Sequence, residues 1–198
     1  SLPDPPIASI GYQASIVITP QQEADMDIKA TLNNLLIPYT SNYAGTLLPG
    51  IREYTVTPGE KTTTISGKGK AGLKQEENYY FFYLPVCYKG ITGKSYAYYN
   101  TSRSKNLYLP ASVDENYSYD IQLPENLTLC TPIQEKKIDN PIGSFKITLT
   151  SEGSSLHIEL ALQIKKQLIT PAEYPAFRSL ITEWTDRTRK PILFKTVQ

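Results

Sequence analysis

Between Leu156 and Ile164 every second residue is a large aliphatic: Leu156, Ile158, Leu160, Leu162 and Ile164 are separated by His157, Glu159, Ala161 and Gln163. Successive side chains on a strand point to opposite faces, so this period gives a strand with one dry face and one wet face. The same period returns before it, at Phe145, Ile147 and Leu149, with Glu152 and Gly153 forming a hairpin turn between the two runs. Near the start, Met26, Ile28, Ala30 and Leu32 alternate with Asp25, Asp27, Lys29 and Thr31. Helical periodicity appears once, so the chain reads as mainly β.

The other strands follow from the same rule and from turn chemistry. Residues 8–19 predict a strand, and the polar stretch 20–23 a connection of hairpin length. Pro38, Gly45, Pro49 and Gly50 mark 36–50 as a long loop, and Pro58 with Gly59 marks a tight turn between strands at 51–57 and 61–66. The basic stretch of Lys61, Lys68, Lys70 and Lys74 is spaced by Gly67, Gly69 and Gly72, which predicts a mobile, solvated loop over 67–72. Residues 78–88 (NYYFFYLPVCY) are apolar at consecutive positions, the pattern of a strand covered on both faces. Pro85 within it predicts an edge or a bulge.

Residues 93–109 predict two short strands around a polar turn at 100–105. Composition then shifts at Pro110: 110–116 reads as a connection, after which Tyr117, Tyr119, Ile121 and Leu123 alternate with polar neighbours. The shift divides the chain into 1–110 and 111–198, with one continuous domain as the alternative. Toward the end, Thr170, Pro171 and Glu173 have the spacing of an N-cap, a first-turn proline and a capping-box glutamate. Phe177, Leu180, Ile181 and Trp184 fall on one helical face. Pro175 would clash with the carbonyl of Pro171 inside a helix, so regular helix is delayed toward Pro175. Pro191 forces an exit into a last strand. The expected fold is an antiparallel β-sandwich-like assembly with one C-terminal α-helix at about 171–188, followed by that strand.

Charge excludes one class of partner. The net charge is +1, and successive quarters of the chain carry −3, +3, −1 and +2, so no block has the field that nucleic acid binding requires. No apolar run approaches the roughly 18 residues of a membrane span. The start, SLPDPPIASIGY, lacks an initiating Met and a signal-peptide profile, so the chain reads as a processed product or an excised piece. Three Asn-X-Ser/Thr sequons, at Asn100, Asn116 and Asn126, hint at an extracytoplasmic protein.

Catalytic residues are sparse. The one histidine, His157, lies on the polar side of its strand and has no second ligand at metal spacing, so neither a metal site nor a cofactor is expected. Cys87 and Cys130 sit in strand-like apolar sequence and read as buried free thiols, with a single bridge as the alternative. Leu84 to Tyr88 is not the electropositive, open setting that makes a thiolate nucleophile, so a Cys87 and His157 pair is not expected. Glu76 with Glu77, and Asp114 with Glu115, are adjacent carboxylates in polar connections and are not acid–base pairs. Tyrosine is crowded: Tyr79, Tyr80, Tyr83, Tyr88, Tyr96, Tyr98, Tyr99 and Tyr108 lie within thirty residues. Such rings pack across strands or form a carbohydrate- or protein-binding face, for which Tyr96, Tyr98, Tyr99 and Tyr108 are the candidates.

Over 115–195 the order is distinctive. A Tyr-X-Tyr-X-Ile-X-Leu-Pro strand leads to Asn-Pro-Ile-Gly-Ser-Phe, a long alternating strand, Ile-Thr-Pro-Ala-Glu-Tyr-Pro-Ala-Phe-Arg and a Lys-Pro-Ile-Leu-Phe-Lys strand. This tail resembles the C-terminal domain of unknown function that follows a transglutaminase-like, papain-like core in Gram-negative, Bacteroides-type envelope proteins. The resemblance implies an accessory domain without the core's Cys, His and Asp, in a periplasmic or extracellular protein. Its implied partners are that upstream core and a cell-wall, glycan or protein contact.

Overall fold

The computed structural model describes residues 7–33, 50–86 and 102–198. Of the two short strands predicted over 93–109, residues 93–101 lie outside the described residues, as do Cys87 and the candidates Tyr96, Tyr98 and Tyr99. Fourteen strands and one helix are described: β1 (Ile7–Ile18), β2 (Glu23–Asn33), β3 (Ile51–Pro58), β4 (Thr62–Gly72), β5 (Lys74–Glu76), β6 (Tyr79–Phe82), β7 (Leu107–Tyr108), β8 (Ser112–Gln122), β9 (Leu127–Leu129), β10 (Gln134–Asn140), β11 (Gly143–Glu152), β12 (Ser155–Ile164), β13 (Leu168–Ile169), α1 (Tyr174–Arg189) and β14 (Ile192–Thr196).

Eight of the strands form one sheet in the order β10-β11-β12-β8-β1-β2-β4-β3. A second sheet runs β5-β6-β14-β9, and β13 pairs with β7. The expected mainly β class with a late helix and a last strand holds, with one difference in topology. β1 and β8 run parallel, Ile7 opposite Ser112 through Val17 opposite Gln122, while the other described pairings are antiparallel. Local hairpin patterns fix antiparallel neighbours, but nothing local in a sequence marks two strands about a hundred residues apart as parallel partners. Residues 112–116, expected as a connection, are already strand and carry this pairing.

The inward face of the large sheet is the core. Ile10, Tyr12, Ala14, Ile16 and Ile18 of β1, and Ala24, Met26, Ile28, Ala30 and Leu32 of β2, are all buried. They join Tyr117, Tyr119 and Ile121 of β8, the aliphatics of β11 and β12, and Tyr80, Phe82, Ile192 and Phe194 of the smaller sheet in one cluster. Trp184 of α1 seats the helix on the large sheet. Its ring lies 5.5 Å from Tyr117 and 6.4 Å, edge-on, from Phe145. Tyr12 in turn lies 5.1 Å from Tyr117 and 5.8 Å from Tyr119. The Tyr119 hydroxyl donates to the Pro85 carbonyl at 2.6 Å, tying β8 to the chain that leaves β6.

The glycine-rich basic stretch is the clearest correction. It is not a loop but the second half of β4, paired with β2 through Lys70 opposite Asp25 and Lys68 opposite Asp27. Its glycines admit a close neighbour: a β-carbon at Gly67 would collide with the Ile51 side chain and the Glu53 carbonyl, and one at Gly69 with the Gly50 carbonyl. β3 is bulged at that place, between Ile51 and Glu53. Lys70 meets Asp25 at 3.5 Å and Glu23 at 3.8 Å on the solvent side.

The start of α1 is as delayed as its prolines require. The reciprocal hydrogen bonds of the predicted capping box form, the Thr170 hydroxyl accepting from the Glu173 N–H at 3.3 Å and the Glu173 carboxylate from the Thr170 N–H at 3.2 Å, but they close the turn ahead of the helix, whose N-cap is Glu173 rather than Thr170. Residues 171–173 are a turn, and helix proper begins at Tyr174 with Pro175 in its first turn. A proline there lacks an N–H that would otherwise need a partner, so it costs little.

Candidate functional site

The tyrosine-rich segment places its rings on two sides of β6. Tyr80 and Phe82 point into the core, at 8% and 4% exposure, whereas Tyr79 and Tyr83 on the other side are 36% and 48% exposed. Phe81, between them, is half-buried. Register completes this outward face. Tyr79 stands opposite Lys195 of β14 and Glu76 of β5, and Phe81 opposite Leu193 and Lys74. The Lys74 ammonium lies over the Tyr83 ring, 5.3 Å from its centroid. Two-sided apolar sequence thus meets incomplete cover: of the outward rings that the pattern expects to be packed, Tyr79 and Tyr83 are exposed and Phe81 is half-buried.

Tyr108, the described member of the tyrosine candidates, stands on β7 opposite Leu168 of β13. Both side chains are open, Tyr108 at 72% and Leu168 at 39%. The structure does not join them to the Tyr79, Phe81 and Tyr83 row through any pairing.

The outward face of the eight-stranded sheet is polar over its centre, with Ile7 and Val17 exposed at the two ends of β1. In register across β12, β8, β1 and β2 lie Ala161, Asn116, Gly11 and Thr31, a line of small side chains. They floor a shallow basin of about 460 Å³, rimmed by Lys29, Lys146, Glu159, Gln13 and Ser118. Beside it stands His157, outward-facing as its strand position predicts. Nδ1 lies 2.8 Å from an Asp120 carboxylate oxygen and Nε2 3.2 Å from one of Glu159. The Asp120 hydrogen bond, and after it that of Glu159, hold the imidazole above its ordinary pKa of 6.5. With both nitrogens facing carboxylates, this ring favours the cation and has no free nitrogen to serve as a base for a hydroxyl or thiol.

Cys130 is a free, half-buried thiol. It follows β9, and its N–H bonds the Leu193 carbonyl at 2.8 Å, so it belongs to the smaller sheet while His157 belongs to the open face of the larger. The expected full burial of this thiol is therefore only half met, because β9 is an edge strand. Among the described residues no group of three or more His, Cys, Asp or Glu side chains is placed to hold a metal ion, and no helix is long and apolar enough to cross a membrane.

One residue was misplaced by reading 110–116 as a connection. Glu115 is a buried carboxylate, 1% exposed, on the core side of β8. It accepts a hydrogen bond from the Tyr117 hydroxyl at 2.8 Å. The signal was present in the phase of the alternation: counting back by twos from Ile121, Tyr119 and Tyr117 lands on Glu115. Asp114 points the other way and accepts from Asn116 at 2.8 Å.

Three comparisons bear on this architecture. Residues 78–194 match the model of a family described as "Domain of Unknown Function with solved-structure structure (DUF3858)". The crystal structure of a "putative protease" from Parabacteroides distasonis is similar at 31% identity, with a TM-score of 0.55. That match covers 62% of this chain and 24% of the Parabacteroides chain. No curated protein matches.

Proposed function

Because the chain belongs to the DUF3858 family, whose function is unknown, we propose that it is a non-catalytic accessory or scaffold domain of a larger, transglutaminase-like or protease-like protein of the cell envelope, periplasmic or extracellular. The observation that carries this reading is the unequal cover of the Parabacteroides match. Most of this chain corresponds to about a quarter of a much longer protein described as a "putative protease". The residues agree with it. His157 is committed to Asp120 and Glu159, and Cys130 sits on another sheet, so neither is arranged as half of a nucleophile and base pair.

A domain of this kind acts by bracing its neighbour or by holding it against a partner, and both work through surfaces. The test uses the longer protein. Excising the matched segment from the Parabacteroides protein should lower its melting temperature or its turnover of peptide and amine substrates. If both are unchanged, the accessory reading fails.

A second reading, a carbohydrate- or protein-binding module, is favoured by the open rings of Tyr79 and Tyr83. A glycan array whose signal is lost in a Tyr79→Ala and Tyr83→Ala double variant would select it over the accessory reading.

A further inference from the structure

The bulge in β3 leaves one residue over. Ile51 stands opposite Gly69 and Glu53 opposite Lys68, so Arg52 between them has no partner on β4. The arrangement restricts its neighbours, because Gly67 and Gly69 have no room for a side chain beside it. Bulges re-aim side chains and are frequent beside active sites. Here Arg52 and Glu53 both line a groove of about 630 Å³ on the outward face of the large sheet, next to the lysines of β4. The groove is charged strand by strand. β1 contributes uncharged Ser15 and Val17, β2 contributes Asp25 and Asp27, and β4 contributes Lys68 and Lys70.

Asp25 stands opposite Lys70, and Asp27 opposite Lys68. The first pair closes to 3.5 Å. The second does not, and among the described residues Asp27, Lys68 and Arg52 each lack an opposite charge within ion-pair range. A carboxylate is therefore open over β2, and two cations are open over β4 and the bulge. Glu53 balances the lining to neutrality, so a ligand of one sign meets as much repulsion as attraction, whereas one carrying both signs meets complementary charge at each end. We propose that this groove binds a short peptide with both ends free, lying across the strands with its ammonium on Asp27 and its carboxylate on Arg52 and Lys68.

Strand spacing sets the length of the ligand. β2 and β3 flank β4, two spacings or about 10 Å apart, and three extended residues span about 10 Å. A tripeptide reaches from Asp27 to Arg52, and a single amino acid does not. The planar guanidinium takes a carboxylate through two parallel hydrogen bonds, and Lys68 adds a second positive charge. Val17, 51% exposed, offers the first side chain of the peptide an apolar contact. The groove is open to water, so its affinity is weak, on the order of millimolar, and falls with salt. This site is independent of the accessory reading, since it is tested by binding to this chain and that reading by turnover and melting of the longer protein.

Trialanine titrated into the isotope-labelled full chain at low salt, up to about 20 mM to span weak binding, tests the proposal by amide shifts in NMR. Saturable shifts should cluster at Asp27, Arg52, Glu53 and Lys68. Trialanine acetylated at its amino end, and trialanine amidated at its carboxyl end, should each bind about tenfold more weakly, the loss expected for one charge-assisted contact. Asp27 and Arg52 are exposed, so their variants should keep the parent spectrum elsewhere. In Arg52→Gln the free and amidated peptides should bind alike, and in Asp27→Asn the free and acetylated ones. Lys29→Gln, on the same face outside the groove, should leave all three affinities unchanged. A chain with no saturable shifts in the groove overturns the proposal. So does binding that is indifferent to capping at either end, because charge then does not hold the peptide.

Discussion

The side chain whose state depends most visibly on pH is His157. Its folded pKa lies above the ordinary 6.5 because Asp120 and Glu159 accept its ring hydrogens. The protonated ring is thus favoured in the fold, and its contribution is complete below pH 6.5 and is lost as pH rises through the higher folded value. The cluster is about half open to water, so the effect on stability is small and weakened by salt. The titration itself is easy to see, because the chain has a single histidine. Its imidazole resonance should titrate with a midpoint above 6.5, moving downward in Asp120→Asn. A midpoint at or below 6.5 in the parent chain would contradict the geometry. Trp184 is the corresponding residue for packing. It is 3% exposed and joins α1 to Tyr117 and Phe145, so Trp184→Ala should cost about 3–5 kcal/mol in urea unfolding followed by circular dichroism.

At the level of elements, what the sequence showed depended on whether a strand was specified by its own residues or by its neighbours. The alternations in β2, β11 and β12 are self-contained, and each lies where its pattern predicts. The end of β4 is not, because Gly67 and Gly69 are dictated by the approach of β3, and read alone they look like a loop. Gly67→Ala should therefore destabilise the chain far more than Lys70→Ala, whose ion pairs are open to solvent. Equal losses in thermal unfolding would show that the close approach is not limiting. The start of α1 was legible because a capping box is local chemistry. Thr170→Ala should cost about 0.5–2 kcal/mol. Farther along, burial works to raise Glu183, but hydrogen bonds from Lys136 and Arg187 outweigh it and hold the carboxylate below its usual pKa. Those bonds, with that of Arg187 to Gln134 at 2.7 Å, fasten the helix to β10.

At the scale of the molecule, the parallel pairing of β1 with β8 brings residues on both sides of Pro110 into one sheet and one core. We infer a single cooperative unit. Neither 1–110 nor 111–198 expressed alone should give the dispersed amide spectrum of the whole, and a folded half would restore the division at Pro110. Tyrosine crowding left cross-strand packing and a binding face both open, and the open rings among the described residues include Tyr79 and Tyr83 as well as Tyr108. Composition counts rings, whereas strand phase decides which of them meet water. The family was legible through the tail over 115–195, whose resemblance to a domain of unknown function agrees with the family match over residues 78–194.

We propose that this chain supports chemistry carried out elsewhere and performs none itself. Incubating the purified chain with a quenched peptide library and with a glutamine peptide plus a fluorescent amine tests this. Neither cleavage nor amine incorporation should exceed the protein-free blank. Turnover that disappears in Cys87→Ala, or in His157→Gln, would contradict the account.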